Sequence, residues 1–141
     1  MLVDANLLIY AVDERSPHYG ASHRWLTAAI NGEQRVGIPW LSLSAFVRIV
    51  TNPRASERPL SPADAWGFVE EWLDSEVAWI PAPTGRHASI LGRLIRQYDL
   101  RANMITDAQM AALALEHGLT LHSADTDFAR FSEITWINPI A

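Results

Sequence analysis

The sequence predicts an α/β fold in which a central, mostly parallel sheet is covered by helices on both faces. Three observations predict it. Short apolar segments typical of buried strands alternate with longer segments whose apolar residues recur at helical spacing. Strands that alternate with helices are joined by crossover connections, which favour a parallel sheet. The 141 residues contain no linker, repeat or low-complexity tract, so a single domain spanning residues 1–141 is expected.

The first half of the chain is predicted as two strands and three helices. Leu2-Val3 is a buried strand that ends at Asp4, and Asn6 is expected to cap the helical turn that follows. Ser16-Pro17 is typical of a helix start, with proline at the first helical position. The third helix is expected to stop before Pro53, because the residue before proline disfavours helix. The predicted bounds are strands 2–4 and 35–38 and helices 6–13, 17–30 and 41–50.

The second half begins with a polar connection over residues 54–60. Ser61 followed by proline is typical of a helix start, and Thr84 is expected to cap the next helix. Gly118 is expected to end the last helix, whose alanines and leucines predict burial nearly all round. The predicted bounds are helices 62–76, 85–98 and 105–117 and strands 77–80, 119–123 and 134–137.

The composition is that of a globular intracellular protein. Hydrophobic residues make up 49% of the chain and charged residues 19%, which excludes a disordered chain. There is no cysteine, so disulfides and thiolate metal sites are excluded and a reducing compartment is expected. No secretory signal is recognisable, and no apolar run approaches the roughly 18 residues that cross a bilayer. The expected location is the cytoplasm.

The net charge of −5 argues against a broadly basic surface for nucleic acid. However, a cluster of carboxylates could hold much of this charge in one place, where a divalent cation would reverse it locally. All 11 basic residues are arginine, and we attribute the absence of lysine to coding bias rather than to function. The net charge therefore leaves an RNA substrate open.

Three aspartates, remote from one another in sequence, are predicted to converge on one edge of the sheet. Ligands bind to open parallel sheets beyond the carboxyl ends of the strands. Asp4 and Asp125 follow two separate predicted strands, and Asp107 lies at the start of a helix, which places it at the same edge. Asp127, two residues beyond Asp125, is a fourth candidate.

Each of these acids also has a purely structural interpretation, as a helix cap or a turn former. Because they are predicted at the same edge of the sheet, a binding site is favoured instead. Carboxylates that are brought together repel, and the usual resolutions are a raised pKa, a basic partner or a divalent cation. The chain has no lysine, no arginine is expected close in sequence to Asp4, Asp107 or Asp125, and the five histidines show no ligand spacing. An all-oxygen site for Mg²⁺ or Mn²⁺ is therefore predicted.

Three segments carry these aspartates: Leu2-Val3-Asp4-Ala5-Asn6, Asn103-Met104-Ile105-Thr106-Asp107-Ala108 and Leu121-His122-Ser123-Ala124-Asp125-Thr126-Asp127-Phe128. Together with Pro39-Trp40-Leu41-Ser42 and Val50-Thr51-Asn52-Pro53, they follow the order and spacing of a known family. The chain thereby resembles the PIN-domain ribonucleases, in particular the VapC toxins of bacterial toxin–antitoxin pairs and a mycobacterial-type subgroup of them. The match spans essentially the whole chain.

The resemblance implies an α/β/α sandwich and Mg²⁺- or Mn²⁺-dependent cleavage of RNA. It also implies a homodimer and inhibition by a small VapB-like antitoxin. Asp4, Asp107 and Asp125 are implied as catalytic metal ligands, with Asn6 and Thr106 as polar support.

One feature of the family pattern is missing. The family has a second acid, usually glutamate, in the helix after the second strand, and this chain has Ala45 there. The number of metals and the catalytic rate are left open by that difference. Asp127, in a supporting role, and the more distant Glu14 are the candidates to compensate.

Arginines are expected to hold the RNA backbone, because clustered carboxylates alone would repel it. The candidates are Arg48 and one helix face that carries Arg86, Arg93 and Arg96. Most of the six tryptophans stand at helical core spacing and are expected in the core or in a dimer interface.

Two other functions compete with a ribonuclease. One is a catalytically weak or inactive PIN-like module that binds RNA or a protein partner, with its site degraded by Ala45. The other is a phosphohydrolase that uses the Asp-x-Asp pattern of residues 125–127. It is disfavoured because such enzymes carry that pair on the first strand and need a lysine.

Overall fold

The computed structural model describes residues 1–141 and confirms the α/β fold. The strands are β1 (Leu2–Val3), β2 (Val36–Gly37), β3 (Ala78–Trp79), β4 (Leu121–His122) and β5 (Trp136–Ile137). The helices are α1 (Ala5–Val12), α2 (Tyr19–Ile30), α3 (Trp40–Val50), α4 (Pro62–Leu73), α5 (His87–Tyr98) and α6 (Met104–His117). A 3₁₀ helix, Thr126–Arg130, follows β4. The sheet order is β3-β2-β1-β4-β5, and every neighbouring pair is parallel.

Helices cover both faces of the sheet. Neighbouring residues of a strand point to opposite faces, so an apolar strand needs a cover on each side. Leu2 packs in an apolar core with α5 and α6, whereas Val3 packs in a second core with α1 to α4. Both side chains are fully buried, which stabilises the fold by about 2 kcal/mol each. The three-layer arrangement is therefore confirmed. No helix combines the length and apolar composition needed to cross a membrane.

The strand order reverses between β1 and β4, at the centre of the sheet. From β1 the chain moves outward to β2 and β3, and it then returns to the other side of β1 to add β4 and β5. Asp4 directly follows β1, and Ser123 directly follows β4. Ligands of open α/β sheets bind in the crevice at such a reversal, beyond the carboxyl ends of the two strands. The fold thus places the predicted aspartates where a site is expected.

Two helices begin later than predicted, because the expected caps have other partners. α2 begins at Tyr19, since Ser16 forms a turn in which its hydroxyl accepts the N–H of His18 at 3.1 Å. α5 begins at residue 87, and the hydroxyl of Thr84 instead donates to the carboxylate of Glu116 at 2.7 Å. A local turn therefore replaces the predicted cap at Ser16, whereas a side-chain partner distant in sequence engages Thr84.

Other predicted ends are confirmed or shifted slightly. The hydroxyl of Ser61 accepts the N–H of Asp64 at 3.0 Å and caps α4, as predicted. Gly118 ends α6 with a φ of 64°, a left-handed conformation that favours glycine. α4 ends at residue 73, before the predicted end at residue 76. The hydroxyl of Ser75, in the turn that follows, donates to the carbonyl of Ile30. Each strand pairs over only two residues, so all five are shorter than predicted.

Candidate metal site at the carboxyl edge of the sheet

Asp4 is held by three hydrogen bonds where β1 meets α1. Its Oδ1 accepts the N–H of Ala5 at 2.8 Å, so Asp4 caps α1. The prediction that Asn6 caps this helix is therefore wrong. Its Oδ2 accepts from the hydroxyl of Ser123 at 2.7 Å and from the amide of Asn6 at 3.3 Å. Burial raises the pKa of Asp4, the bonds from Ser123 and Ala5 oppose that rise, and the charge on Asp125 adds to it.

Asn6 joins the ends of β1 and β4 instead of capping a helix. Its amide nitrogen donates to Asp4 and, at 3.1 Å, to the hydroxyl of Ser123. Its Oδ1 accepts the N–H of Ala124 at 3.2 Å. The supporting position predicted for Asn6 therefore corresponds to an observed network around Asp4.

Ser123 is the centre of this network, and it was not predicted from the sequence. The residue is fully buried, and its hydroxyl donates to Asp4 while accepting from Asn6 and from the N–H of Asp125 at 3.0 Å. One donated and two accepted bonds use the full capacity of a hydroxyl. The only sequence signal was a serine at the end of a predicted strand, immediately before the segment that carries the acids.

Three carboxylates lie closest together: those of Asp107, Asp125 and Asp127, each with an oxygen within 4.8 Å of the others. Asp107 lies in the first turn of α6. Asp125 caps the 3₁₀ helix by accepting the N–H of Asp127 at 2.8 Å. The side chain of Asp127 is 60% exposed, which makes it the exposed member of the cluster. Asp127, predicted only as a supporting residue, thus stands with the two predicted ligands.

The pKa of Asp107 is raised to about 6. Burial is the largest cause, and the negative charges of Asp125, Asp4 and Asp127 add to it. The guanidinium of Arg130 acts in the opposite direction. The four acids therefore share one electrostatic environment, even though Asp4 lies outside the closest group of three.

Arg130 corrects the expectation that no arginine lies close in sequence to the acids. It follows Asp125 by five residues, donates from Nε to the carbonyl of Asp127 at 3.1 Å, and lies 3.8 Å from the carboxylate of Asp127. The spacing of three residues between Asp127 and Arg130 was a signal that could have predicted the pair. A single partly exposed guanidinium leaves several carboxylates without a basic partner.

The donor set fits a divalent cation. Carboxylate oxygens are the ligands that Mg²⁺ and Mn²⁺ prefer, and oxygens on opposite sides of one Mg²⁺ lie about 4.2 Å apart. An oxygen of each of Asp107, Asp125 and Asp127 lies within 4.8 Å of the others, so small side-chain shifts bring the three into the shell of one cation. Oδ2 of Asp4 already accepts two hydrogen bonds, whereas Oδ1 accepts one and retains a second lone pair for a cation.

The remaining predicted residues stand apart from the four acids. Thr106 is exposed, makes no side-chain hydrogen bond, and lines a groove beside the cluster. Ala45 lines the same groove and offers no ligand. Glu14 lines a different surface cavity, with Arg15 and Glu57 among its neighbours, so it does not compensate for the missing acid.

Comparison with known proteins finds one family. Residues 1–134 match the model of the PIN domain. Ribonuclease VapC37 of Mycobacterium tuberculosis is 44% identical over 140 residues, which cover 99% of this chain and 97% of the relative. Ribonuclease VapC33 of the same organism is 36% identical over 140 residues, which cover 99% of this chain and 98% of the relative.

Solved structures share the fold at lower identity. VapBC2 from Rickettsia felis, bound to a DNA fragment from its promoter, superposes with a TM-score of 0.70 at 16% identity, covering 97% of this chain and 96% of the other. VapC20 of Mycobacterium tuberculosis, a sarcin–ricin loop cleaving toxin, gives a TM-score of 0.67 at 16% identity, covering 95% and 98%. VapBC-1 from nontypeable Haemophilus influenzae gives 0.67 at 13% identity, covering 98% and 96%.

Proposed function

Since the chain belongs to the PIN-domain family, we propose that it is a Mg²⁺- or Mn²⁺-dependent endoribonuclease and the toxin of a toxin–antitoxin pair. The observation that carries the proposal is the cluster of Asp107, Asp125 and Asp127 at the carboxyl edge of the sheet. The curated relatives with 36–44% identity are named as ribonucleases, which supports the reaction class.

The proposed metal ligands are Asp4, Asp107 and Asp125, with Asp127 beside them. A bound divalent cation would supply an activated water and neutralise charge on the scissile phosphate. Ser123 and Asn6 would hold Asp4 in a fixed orientation, because they donate two of the three hydrogen bonds that its carboxylate accepts. Thr106 stays a proposed supporting residue on the groove side of Asp107.

The test of this function is cleavage of RNA by the purified chain. Total bacterial RNA should be cut when Mg²⁺ or Mn²⁺ is supplied and should remain intact in EDTA. Asp4→Asn, Asp107→Asn and Asp125→Asn should each abolish the cleavage. Asp64→Asn, an exposed aspartate in the first turn of α4, is the matched control and should retain it. Undiminished metal-dependent cleavage by Asp4→Asn and Asp125→Asn would reject the assignment.

The proposed protein partner is a small VapB-like antitoxin. Complexes named VapBC are among the structural neighbours, which supports such a partner for this chain. The neighbouring small reading frame, if co-expressed, should co-purify with this chain and suppress its ribonuclease activity. The homodimer and the cytoplasmic location, both expected from the sequence, remain part of this proposal. Light scattering of the purified chain tests the dimer, since a monomer would contradict it.

A second candidate is a PIN-like module with little or no catalysis. Ala45 favours it, because the groove beside the cluster lacks the second acid of the family pattern. Calorimetric titration with Mn²⁺ separates the two functions. A saturable site supports the enzyme, whereas the module should show none.

A further inference from the structure

A groove of about 480 Å³ opens beside the acidic cluster, between α3, the start of α5 and α6. Thr106 and Gln109 line its wall on α6, and they flank Asp107 in the sequence. Because Thr106 directly precedes Asp107 on α6, the wall of the groove lies next to the candidate metal site along that helix.

Arg48 gives the groove an uncompensated positive charge. It is exposed on α3, lines the groove, and takes part in none of the four ion pairs of the chain. An acid at position 45 would lie one helical turn away and would neutralise it, but Ala45 cannot. Ala45, which offers no ligand to a metal, thus leaves the guanidinium of Arg48 free to bind a phosphate.

His87 is fixed in the groove wall by a buried carboxylate. The side chain of Glu116 is 0% exposed, and its Oε2 lies 2.6 Å from Nδ1 of His87. Its Oε1 accepts from the N–H and the hydroxyl of Thr84 at 2.8 and 2.7 Å. Because Nδ1 is engaged, Nε2 is the ring nitrogen without a partner in the chain. A carboxylate in an apolar helix is therefore used to set the orientation of an imidazole that lines the groove.

Trp40 supplies a flat aromatic surface at the same groove. The tryptophans were expected in the core or in a dimer interface, and Trp40 and Trp66 lie outside the core, 49% and 44% exposed. The two rings are parallel to within 7°, with centroids 6.4 Å apart. Trp66 thus supports the orientation of Trp40, and an exposed aromatic face of this kind suits a nucleobase.

We propose that this groove binds an unpaired nucleotide of single-stranded RNA adjoining the scissile phosphate. Arg48 holds its phosphate, Trp40 stacks on its base, and His87 and Gln109 bind the edge of the base. The assignment rests on the proposed ribonuclease function and names the form of its substrate, because stacking on an exposed ring requires an unpaired base. The phosphate and base contacts come from this chain alone, so the groove binds RNA without a metal.

The position of Arg48 in the groove favours it over the other predicted arginines as the residue that binds a phosphate. The guanidinium of Arg86 donates to the carbonyl of Glu116, at the end of α6. Arg93 and Arg96 are exposed on α5 and do not line the groove. Arg93→Gln therefore removes the same charge as Arg48→Gln but leaves the groove unchanged, and it serves as the matched control.

The experiment measures binding of a short fluorescent single-stranded RNA of mixed sequence by anisotropy, in EDTA, over a series of salt concentrations. Arg48→Gln should reduce the slope of log K against log salt by about 0.7, the value for one phosphate contact to a single strand. Arg93→Gln should leave the slope unchanged. Trp40→Ala should weaken binding by roughly tenfold, and Trp40→Phe should retain most of it because the stacking surface remains.

Three outcomes overturn the groove assignment. The first is no metal-free binding by the unaltered protein, and the second is an equal effect of Arg48→Gln and Arg93→Gln. The third is a Trp40→Ala variant that binds RNA normally but changes from dimer to monomer in light scattering, which would assign Trp40 to contact with a second copy.

The cleavage assay on the same preparations separates the two proposals. Metal-dependent cleavage combined with normal RNA binding by Arg48→Gln rejects the groove and leaves the ribonuclease. If the salt slope is smaller for Arg48→Gln but the unaltered protein shows no metal-dependent cleavage, the ribonuclease is rejected and the groove is supported. Circular dichroism of each variant verifies that it is folded before either conclusion is drawn.

Discussion

The hydroxyl of Ser123 donates a 2.7 Å hydrogen bond to Oδ2 of Asp4, across 119 positions of the sequence. The bond connects the carboxyl ends of β1 and β4, the two strands between which the strand order reverses. The hydroxyl oxygen of Ser123 also accepts a hydrogen bond from the N–H of Asp125. One buried hydroxyl therefore sets the position of the first aspartate relative to the segment that carries two others.

Ser123→Ala should destabilise the fold by about 1–3 kcal/mol, because Asp4 and the N–H of Asp125 each lose a partner away from water. Urea unfolding measures the free energy. Ser89→Ala is the control, since Ser89 is exposed on α5 and its side chain makes no hydrogen bond. It should change the free energy of unfolding by less than about 0.5 kcal/mol. Similar losses in both variants would contradict the role of Ser123.

Asp107→Asn should raise the melting temperature of the metal-free protein at neutral pH. The pKa of Asp107 is raised from an ordinary value of 3.8 to about 6, so the folded chain binds the proton more tightly than the unfolded chain does. The stability linked to this group is therefore present in acid and is lost as the pH rises from about 4 through about 6. Asparagine mimics the protonated form and avoids that loss.

Differential scanning fluorimetry in EDTA, over a series of pH values, measures this effect. The gain from Asp107→Asn should be full above about pH 7 and should shrink toward about pH 4. Asp64→Asn should show no such dependence. A gain that is constant across the series would mean that the charge of Asp107 is not its cause.

The edge at which the acids meet was predictable from the sequence, because it follows from local patterns. Apolar runs identified the strands before Asp4 and Asp125, and helical spacing identified the helix that begins near Asp107. In a parallel sheet these positions lie at one edge whatever the order of the strands. The fold class required no long-range information for the same reason.

The network around Asp4 could not be predicted, because its partners are distant in sequence. Asn6 has the pattern of a helix cap, and its bond to Ser123 spans 117 positions. Glu116 was equally hidden, since an acid in the last turn of a buried helix gives no indication of a partner 29 positions earlier, at His87. Arg130 is different, because its spacing of three residues from Asp127 was visible in the sequence and could have predicted the ion pair.

Glu116→Gln should lower the melting temperature at neutral pH, with the opposite pH dependence to Asp107→Asn. Burial raises the pKa of Glu116, but the hydrogen bonds from His87 and Thr84 outweigh it and hold the pKa below its ordinary value of 4.5. The folded state favours the ionised form. Its stabilisation is therefore present above about pH 4.5 and is lost as the pH falls through the lower folded pKa.

The same fluorimetric pH series measures this second effect. The difference between Glu116→Gln and the unaltered protein should be largest at neutral pH and should shrink in acid. Glu71→Gln, an exposed glutamate of α4 with no ion pair, is the matched control and should not differ from the unaltered protein. A deficit of Glu116→Gln that persists unchanged in acid would assign Glu116 a packing role only.

Mn²⁺ affinity should decrease as the pH falls below about 6, because a proton and the cation compete for Asp107, whose pKa is about 6 in the metal-free chain. Isothermal titration calorimetry measures the affinity at each pH. Asp107→Asn should bind Mn²⁺ more weakly and lose the part of the pH dependence that is centred near pH 6, because the proton site of Asp107 is gone. Asp125→Asn should bind weakly at every pH, whereas Asp64→Asn should follow the unaltered protein. Saturable binding by Asp125→Asn with unaltered affinity would place the cation away from the three clustered carboxylates.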